Sequence, residues 1–251
     1  MGKLHLISDG DLEVRYNTSS TVKLGVNCLL IQKNNKNILI DTGTGNFNPD
    51  ENKYQIEYPR RILTELKTIN LKPTDIDIVV LTHFHFDHCG GCFNEKGYPV
   101  FINAEHYMQT WEIQNAEKDH NLAKYMFKFS GVLGKHDLFR PIDGNIVIED
   151  SIDLIRSKGH TAGFQYVKFT TNENTYVFPG DIIPTLWHLN NNNFIGLDYD
   201  PTALNTAKNE IIEECIYNNI TIIFQHSLKP TMGKLVRKEK RVGFKRIENN
   251  T

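Results

Sequence analysis

Three histidines and an aspartate crowd into the six residues His83-Phe84-His85-Phe86-Asp87-His88. They follow the apolar run Ile76-Asp77-Ile78-Val79-Val80-Leu81, which reads as a buried strand, so the cluster falls where a strand ends and a helix begins. On an extended backbone the two-residue spacing points His83 and His85 to one side and Phe84 and Phe86 to the other. Asp87 and His88 then offer an oxygen and a nitrogen to a neighbouring position as the chain turns. Imidazoles and a carboxylate converging on one spot are what a divalent transition metal needs. For any one of these residues a solvated surface loop would be the better reading, but not for all four in this register.

Further donors stand at similar places downstream. Gly159-His160-Thr161 follows the alternation of Ile152, Leu154 and Ile155, and Pro179-Gly180-Asp181 follows Thr175-Tyr176-Val177-Phe178. Gln225-His226-Ser227 follows Thr221-Ile222-Ile223-Phe224. Each turn closes a predicted strand, where loops on a rigid sheet present functional side chains.

Together these motifs resemble the metallo-β-lactamase superfamily of metal-dependent hydrolases: His-x-His-x-Asp-His, a distant Gly-His-Thr, then Gly-Asp, then a late His. The resemblance runs from about Leu24 to His226. It implies that His83, His85 and His160 hold one metal, that Asp87, His88 and His226 hold a second, and that Asp181 bridges them. Leu39-Ile40-Asp41-Thr42-Gly43-Thr44-Gly45 is similar to the superfamily's early strand and glycine turn, whose Asp, here Asp41, would steady a ligand histidine from behind. Gly180-Asp181-Ile182-Ile183-Pro184-Thr185 with His188, and then Tyr199-Asp200-Pro201, resembles the quorum-quenching lactonase and phosphotriesterase-like branch. The chain departs from that pattern at Ser157-Lys158, where Thr-Pro is usual, at Ser227, where the branch has Asp, and at Pro184, where some acyl-homoserine lactonases have Tyr.

The implied fold is a four-layer α/β/β/α sandwich with the metals at one edge between two sheets. The implied cofactor is a pair of divalent ions, zinc first, with manganese, iron, cobalt or nickel fitting the same donors. Metal-bound hydroxide would attack a lactone carbonyl, with Asp87 and Asp181 at the reacting centre and an acyl-homoserine lactone as the best match. A phosphotriesterase or another ester or thioester hydrolase is the alternative. A nuclease is disfavoured by near-neutral charge and the lack of a basic cleft signature. An iron redox protein would need a partner flavin or electron-transfer module, and a non-catalytic binding protein would be expected to have lost a ligand.

Length and composition fit one enzyme domain over 1–251, since no Pro/Gly/Ser-rich linker separates halves and the formal charge is −2. That charge gives no global attraction to nucleic acid, so no nucleic-acid partner is expected, and the resemblance implies a small-molecule substrate. Eight Lys/Arg and one Glu lie between Lys229 and Arg246. They read as a terminal hairpin over 229–251 with lysines guarding an exposed edge, in preference to a phosphate- or membrane-binding tail. Cys89-Gly90-Gly91-Cys92 lacks the second pair of a structural zinc site, so all four cysteines read as reduced packing residues. With no charged-then-apolar leader and no run long enough to span a bilayer, a cytoplasmic location and no membrane association are expected.

The elements that must position the donors can be read from periodicity. Strands are predicted around Lys3–Ile7, Leu12–Tyr16, Val26–Gln32 and Asn37–Asp41, and a helix over Arg60–Leu71, with Thr74 capping a short turn. A second helix is predicted from Pro201 to Asn218, with Asp200 as its N-cap. Asn103–Arg140 is rich in aromatics and is expected to form a helical cover whose Tyr107 and Trp111 face substrate or a homodimer partner. Trp187 and His188, in the segment Thr185–Tyr199, are the other substrate-binding candidates.

Overall fold

Alternating apolar residues at the start of the chain build one long strand rather than the two expected. β1 (Lys3–Asn17) pairs antiparallel with β2 (Ser20–Lys33), and a bulge between Ser8 and Asp11 bends the ladder without breaking it. The computed structural model describes residues 2–17, 20–57, 61–118, 137–171, 174–190, 193–229, 231–239 and 241–247. The chain divides into two compact units, Met1–Asp143 and Gly144–Thr251, and each carries one mixed seven-stranded sheet flanked by helix.

In the first unit the chain continues through β3 (Lys36–Ile40), β4 (Tyr54–Glu57), α1 (Arg61–Thr68), β5 (Ile78–Val80) and the single turn α2 (Phe86–Cys89). It ends with β6 (Glu105–Gln109), α3 (Thr110–Lys118) and β7 (Phe139–Ile142). The sheet order is β4-β1-β2-β3-β5-β6-β7, antiparallel up to β3 and parallel from there to β7. Helix α1 lays Ile62 and Leu66 on Leu30, Leu39 and Val79, one face of this sheet. It stops where Asn70 takes a left-handed φ of 61°. The next turn is capped by Asp75, whose Oδ2 accepts the Lys72 N–H at 2.7 Å, and not by Thr74.

The helical cover expected over 103–140 falls largely on residues 119–136, which lie outside the described residues. Among the described residues of that segment, Glu105–Gln109 is a strand, not helix, and continues the parallel sheet beside β5, while Thr110–Lys118 is helical. The period-two burial of His106 and Met108, with Glu105 and Tyr107 half-buried, is a strand pattern that the aromatic content of the region obscured. Tyr125, Phe127 and Phe129 lie outside the described residues.

The second unit runs β8 (Ile146–Ile148), β9 (Ile152–Arg156), β10 (Gln165–Thr170), β11 (Thr175–Phe178), α4 (Pro201–Tyr217), β12 (Thr221–Ile223), β13 (Met232–Lys238) and β14 (Arg241–Arg246). Its order is β14-β13-β12-β11-β10-β9-β8. β9 and β11 are each antiparallel to β10, and β11 is parallel to β12, so β9, β11 and β12 all run one way. Asp200 caps α4 through the N–H groups of Thr202 and Ala203, and Pro201 occupies the first helical position. Leu204, Ile211, Ile212 and Cys215 of that helix pack on Phe164, Val177, Ile222 and Phe224. The basic segment is a hairpin, with Leu235 opposite Phe244 and β14 at the sheet edge.

All four cysteines are buried and outside any disulfide, and burial pushes the thiols of Cys92 and Cys215 up to about 12, which suits inert packing groups. Among the described residues no helix is long and apolar enough to cross a membrane.

Candidate functional site

Two parallel neighbours, β3 and β5, bring their C-terminal ends together in the first unit, where the Asp41 N–H donates to Val80 O at 2.8 Å. The chain beyond β5 then alternates as its spacing requires. Phe84 joins the cluster under α1 and Phe86 joins another with Leu12, Val26 and Tyr54, which turns the intervening imidazoles to the opposite side. His83 Nε2 and His85 Nδ1 come to 2.8 Å, and the His83 and His88 rings lie 3.9 Å apart, centre to centre. Asp87 Oδ1 is 3.8 Å from His88 Nε2. The three histidines are buried, while Asp87 is partly open.

Behind these donors stands Asp41, fully buried. Its Oδ2 is 2.9 Å from His88 Nδ1, and its Oδ1 accepts the Thr82 N–H at 2.8 Å. The Thr82 hydroxyl donates to Asp41 Oδ2 at 2.8 Å and also lies 3.0 Å from His83 Nδ1. One carboxylate and one hydroxyl thus hold the inner nitrogens of two histidines. The Gly90-Gly91 pair permits this close stacking of turns, because a Cβ on Gly91 would sit 2.1 Å from Thr42 O. Close approach to the Thr42–Gly45 turn is what those glycines serve.

In the second unit, the common direction of β9, β11 and β12 puts the turns bearing His160, Asp181 and His226 at one end of the sheet. Asp181 lies between two imidazoles: its Oδ2 is 3.2 Å from His160 Nε2 and its Oδ1 is 3.0 Å from His226 Nε2. On its other side, His160 Nδ1 is 2.8 Å from Asp198 Oδ1. Burial opposes a charge on His160, but Asp181 and Asp198 outweigh it and hold the imidazole up to about 9. The turn before His160 requires glycine: Gly159 has a φ of +128°, and a Cβ there would meet Leu204 Cα at 2.4 Å. Ser227, at the position that departs from the lactonase pattern, accepts the Leu186 N–H on its Oγ at 3.3 Å, and so ties the His226 turn to the 185–189 turn.

On each unit the assembled donors are imidazole nitrogens and carboxylate oxygens, with no thiolate among them. That set fits a divalent ion of the zinc or manganese kind.

The other candidates are placed less centrally. Tyr107 lies on β6 and its hydroxyl donates to Glu105 Oε2 at 3.1 Å, while Glu105 Oε1 accepts from Arg140 Nε at 3.0 Å. Trp111 and Trp187 are exposed, Trp187 to 80%. His188 Nδ1 is 2.8 Å from the Thr185 hydroxyl, and burial pushes this imidazole down to about 4, so it is neutral at neutral pH.

Four residues with buried side chains have positioning contacts that no motif announced. They are Thr82, Asp198, Glu112 and Asp9. Glu112, on α3, accepts the Phe84 N–H at 3.0 Å, directly between His83 and His85. Asp9 accepts from the Thr44 and Ile62 backbones at 2.8 and 2.9 Å, joining the glycine turn to the start of α1. For the three acids only the residue type, a carboxylate in an apolar or turn context, was a hint, and nothing marked Thr82.

A sequence profile of the metallo-β-lactamase superfamily matches residues 21–214. An N-acyl homoserine lactonase of Bacillus cereus is 24% identical over 168 residues, which are 62% of this chain and 62% of that protein. The chain thus spans less than two thirds of the length of the curated relatives it matches. Among solved structures, a probable metal-dependent hydrolase from Staphylococcus aureus superimposes with a TM-score of 0.85 at 22% identity, over 100% of this chain and 98% of that one. AidC, a dizinc quorum-quenching lactonase in complex with a homoserine product, gives 0.82 at 17% identity, over 99% and 95%. At such identities the likeness establishes the fold, the α/β sandwich that the motifs led us to expect. With the profile covering most of its length, the chain belongs to the metallo-β-lactamase superfamily.

Proposed function

We propose that this chain is a cytoplasmic dinuclear metal hydrolase that opens lactones, with acyl-homoserine lactones as its substrates. The observation that carries the reading is Asp181, whose two carboxylate oxygens face two different imidazoles at 3.2 and 3.0 Å, as suits a group shared by two cations. His83, His85 and His160 would hold one ion and Asp87, His88 and His226 the other, with Asp181 common to both and zinc as the metal. When bound, such a pair acidifies a water and polarises the carbonyl under attack.

The chain's own groups do the remainder. Asp41 keeps His88 turned by its Nδ1. Asp87, the partly open carboxylate, would accept a hydrogen bond from the attacking water and orient it. Neutral His188, held at Nδ1 by Thr185, presents its other nitrogen as a hydrogen-bond partner for the substrate's carbonyl or leaving oxygen. The exposed rings of Trp187, Phe194 and Tyr199 supply apolar surface for an acyl chain. The named lactonases among the relatives support a lactone over other esters.

The test is hydrolysis of a long-chain acyl-homoserine lactone by zinc-reconstituted protein, followed as acid release, beside His83→Ala and with a phosphotriester and a thioester in parallel. Turnover of the lactone that is lost in the variant is the expected result. Absence of lactone turnover by protein shown to hold two ions would overturn the substrate, and activity on a parallel ester would name its replacement.

A further inference from the structure

We infer that Asp198 is a positioning residue for the metal site, setting the tautomer and ring angle of His160 so that Nε2 is presented to the ion. The inference rests on the dinuclear reading, but its support is local. His160 lies between two carboxylates, with Nε2 3.2 Å from Asp181 and Nδ1 2.8 Å from Asp198. The Asp198 side chain is 1% exposed. The same relation holds His88 in the first unit, where Asp41 is the carboxylate at Nδ1.

The loop that carries Asp198 is built to stay in place. Asp198 Oδ2 accepts the Ile195 N–H at 2.7 Å, and the Asp198 N–H returns to Ile195 O at 3.1 Å. The next two N–H groups, of Tyr199 and Asp200, donate to His160 O and Gly159 O at 3.1 and 2.8 Å, so the loop is stitched to the ligand's own turn. At its far end Lys208, buried within α4, donates to Asn193 O at 2.8 Å and lies 4.9 Å from the centre of the Phe194 ring. A carboxylate held this firmly against Nδ1 keeps a hydrogen there and leaves Nε2 as the ligand nitrogen, as partners behind metal-bound histidines do.

The test compares the parent chain with Asp198→Ala, Asp198→Asn and Asp200→Ala, read by zinc stoichiometry, chelator competition and the visible spectrum of the cobalt-substituted protein. Asp200→Ala removes the α4 cap from the same loop without touching His160, and so reports loop loosening alone. Expected is a loss of about 10–100-fold in affinity for one of the two ions in Asp198→Ala, a smaller loss in Asp198→Asn, and an altered cobalt spectrum in both. Asp200→Ala should melt earlier with parental affinity and spectrum. Parental affinity and spectrum in Asp198→Ala overturn the inference, as does an equal loss of affinity in Asp200→Ala. A parent that binds fewer than two ions instead overturns the dinuclear reading itself.

Discussion

Thr82 is a small side chain with an outsized share of the histidine cluster. Its hydroxyl gives Asp41 a hydrogen bond at 2.8 Å and stands 3.0 Å from His83 Nδ1, all out of contact with water. Thr82→Val keeps the shape and the backbone bond but leaves the buried carboxylate short of a donor. The expected cost is about 1–3 kcal/mol in the metal-free protein, with most of it regained in Thr82→Ser, measured by urea denaturation. Thr82 adjoins His83, but its role was hidden from sequence reading because it depends on Asp41, 41 residues away. A metal donor advertises itself by type and spacing, and His83, His85, Asp87 and His88 fall in one short run. A residue that acts on a donor needs only to reach it in space. Asp198 stands 38 residues from His160, and Glu112 stands 28 from Phe84, so neither belongs to a motif.

At the scale of elements, helix α4 and the His160 turn are fitted to each other backbone against backbone. With a positive φ at Gly159 and Leu204 Cα 2.4 Å from where a Cβ would stand, Gly159→Ala must shift the first turn of α4 or the histidine. We expect a loss of more than about 1 kcal/mol, seen as a lower melting temperature, together with weakened zinc binding. Strand and helix periodicities exposed most elements before any coordinates, including the Asp200 cap and the strands ahead of each donor. They failed where composition competed with pattern. The aromatics of residues 103–140 drew attention from the two-residue alternation in Glu105–Gln109, and Gly10 hid the continuity of β1 through its bulge.

For the molecule as a whole, two buried groups in the first unit set opposing pH responses. Burial pushes His106 down to about 4, although its Nδ1 donates to Ala104 O at 2.9 Å. The native state therefore favours the neutral ring, and this stabilisation is complete above about 6.5 and lost as the pH falls toward 4. Burial raises the Asp9 carboxyl to about 6 against the hydrogen bonds from Ile62 and Thr44. Here the native state favours the protonated acid, so its contribution is complete below 3.8 and is lost as the pH rises through 6. Between pH 6 and 4 the two offset each other. Relative to the parent, Asp9→Asn should lose stability more steeply on acidification over that range and His106→Gln less steeply. Denaturant midpoints at half-unit pH steps, taken without metal, read both slopes, and unchanged slopes would sink the assignment.

The contiguity of His83, His85, Asp87 and His88 also has a consequence for the unfolded chain. Four proposed donors within six residues need no tertiary structure to gather around an ion, whereas Asp41, Asp181 and His226 align only once strands far apart in sequence have paired. The unfolded polypeptide is therefore itself a metal ligand of some strength. Any ion it captures subtracts from the stabilisation that native-state affinity would otherwise confer, and excess free metal becomes a competitor of folding as well as a partner of the fold.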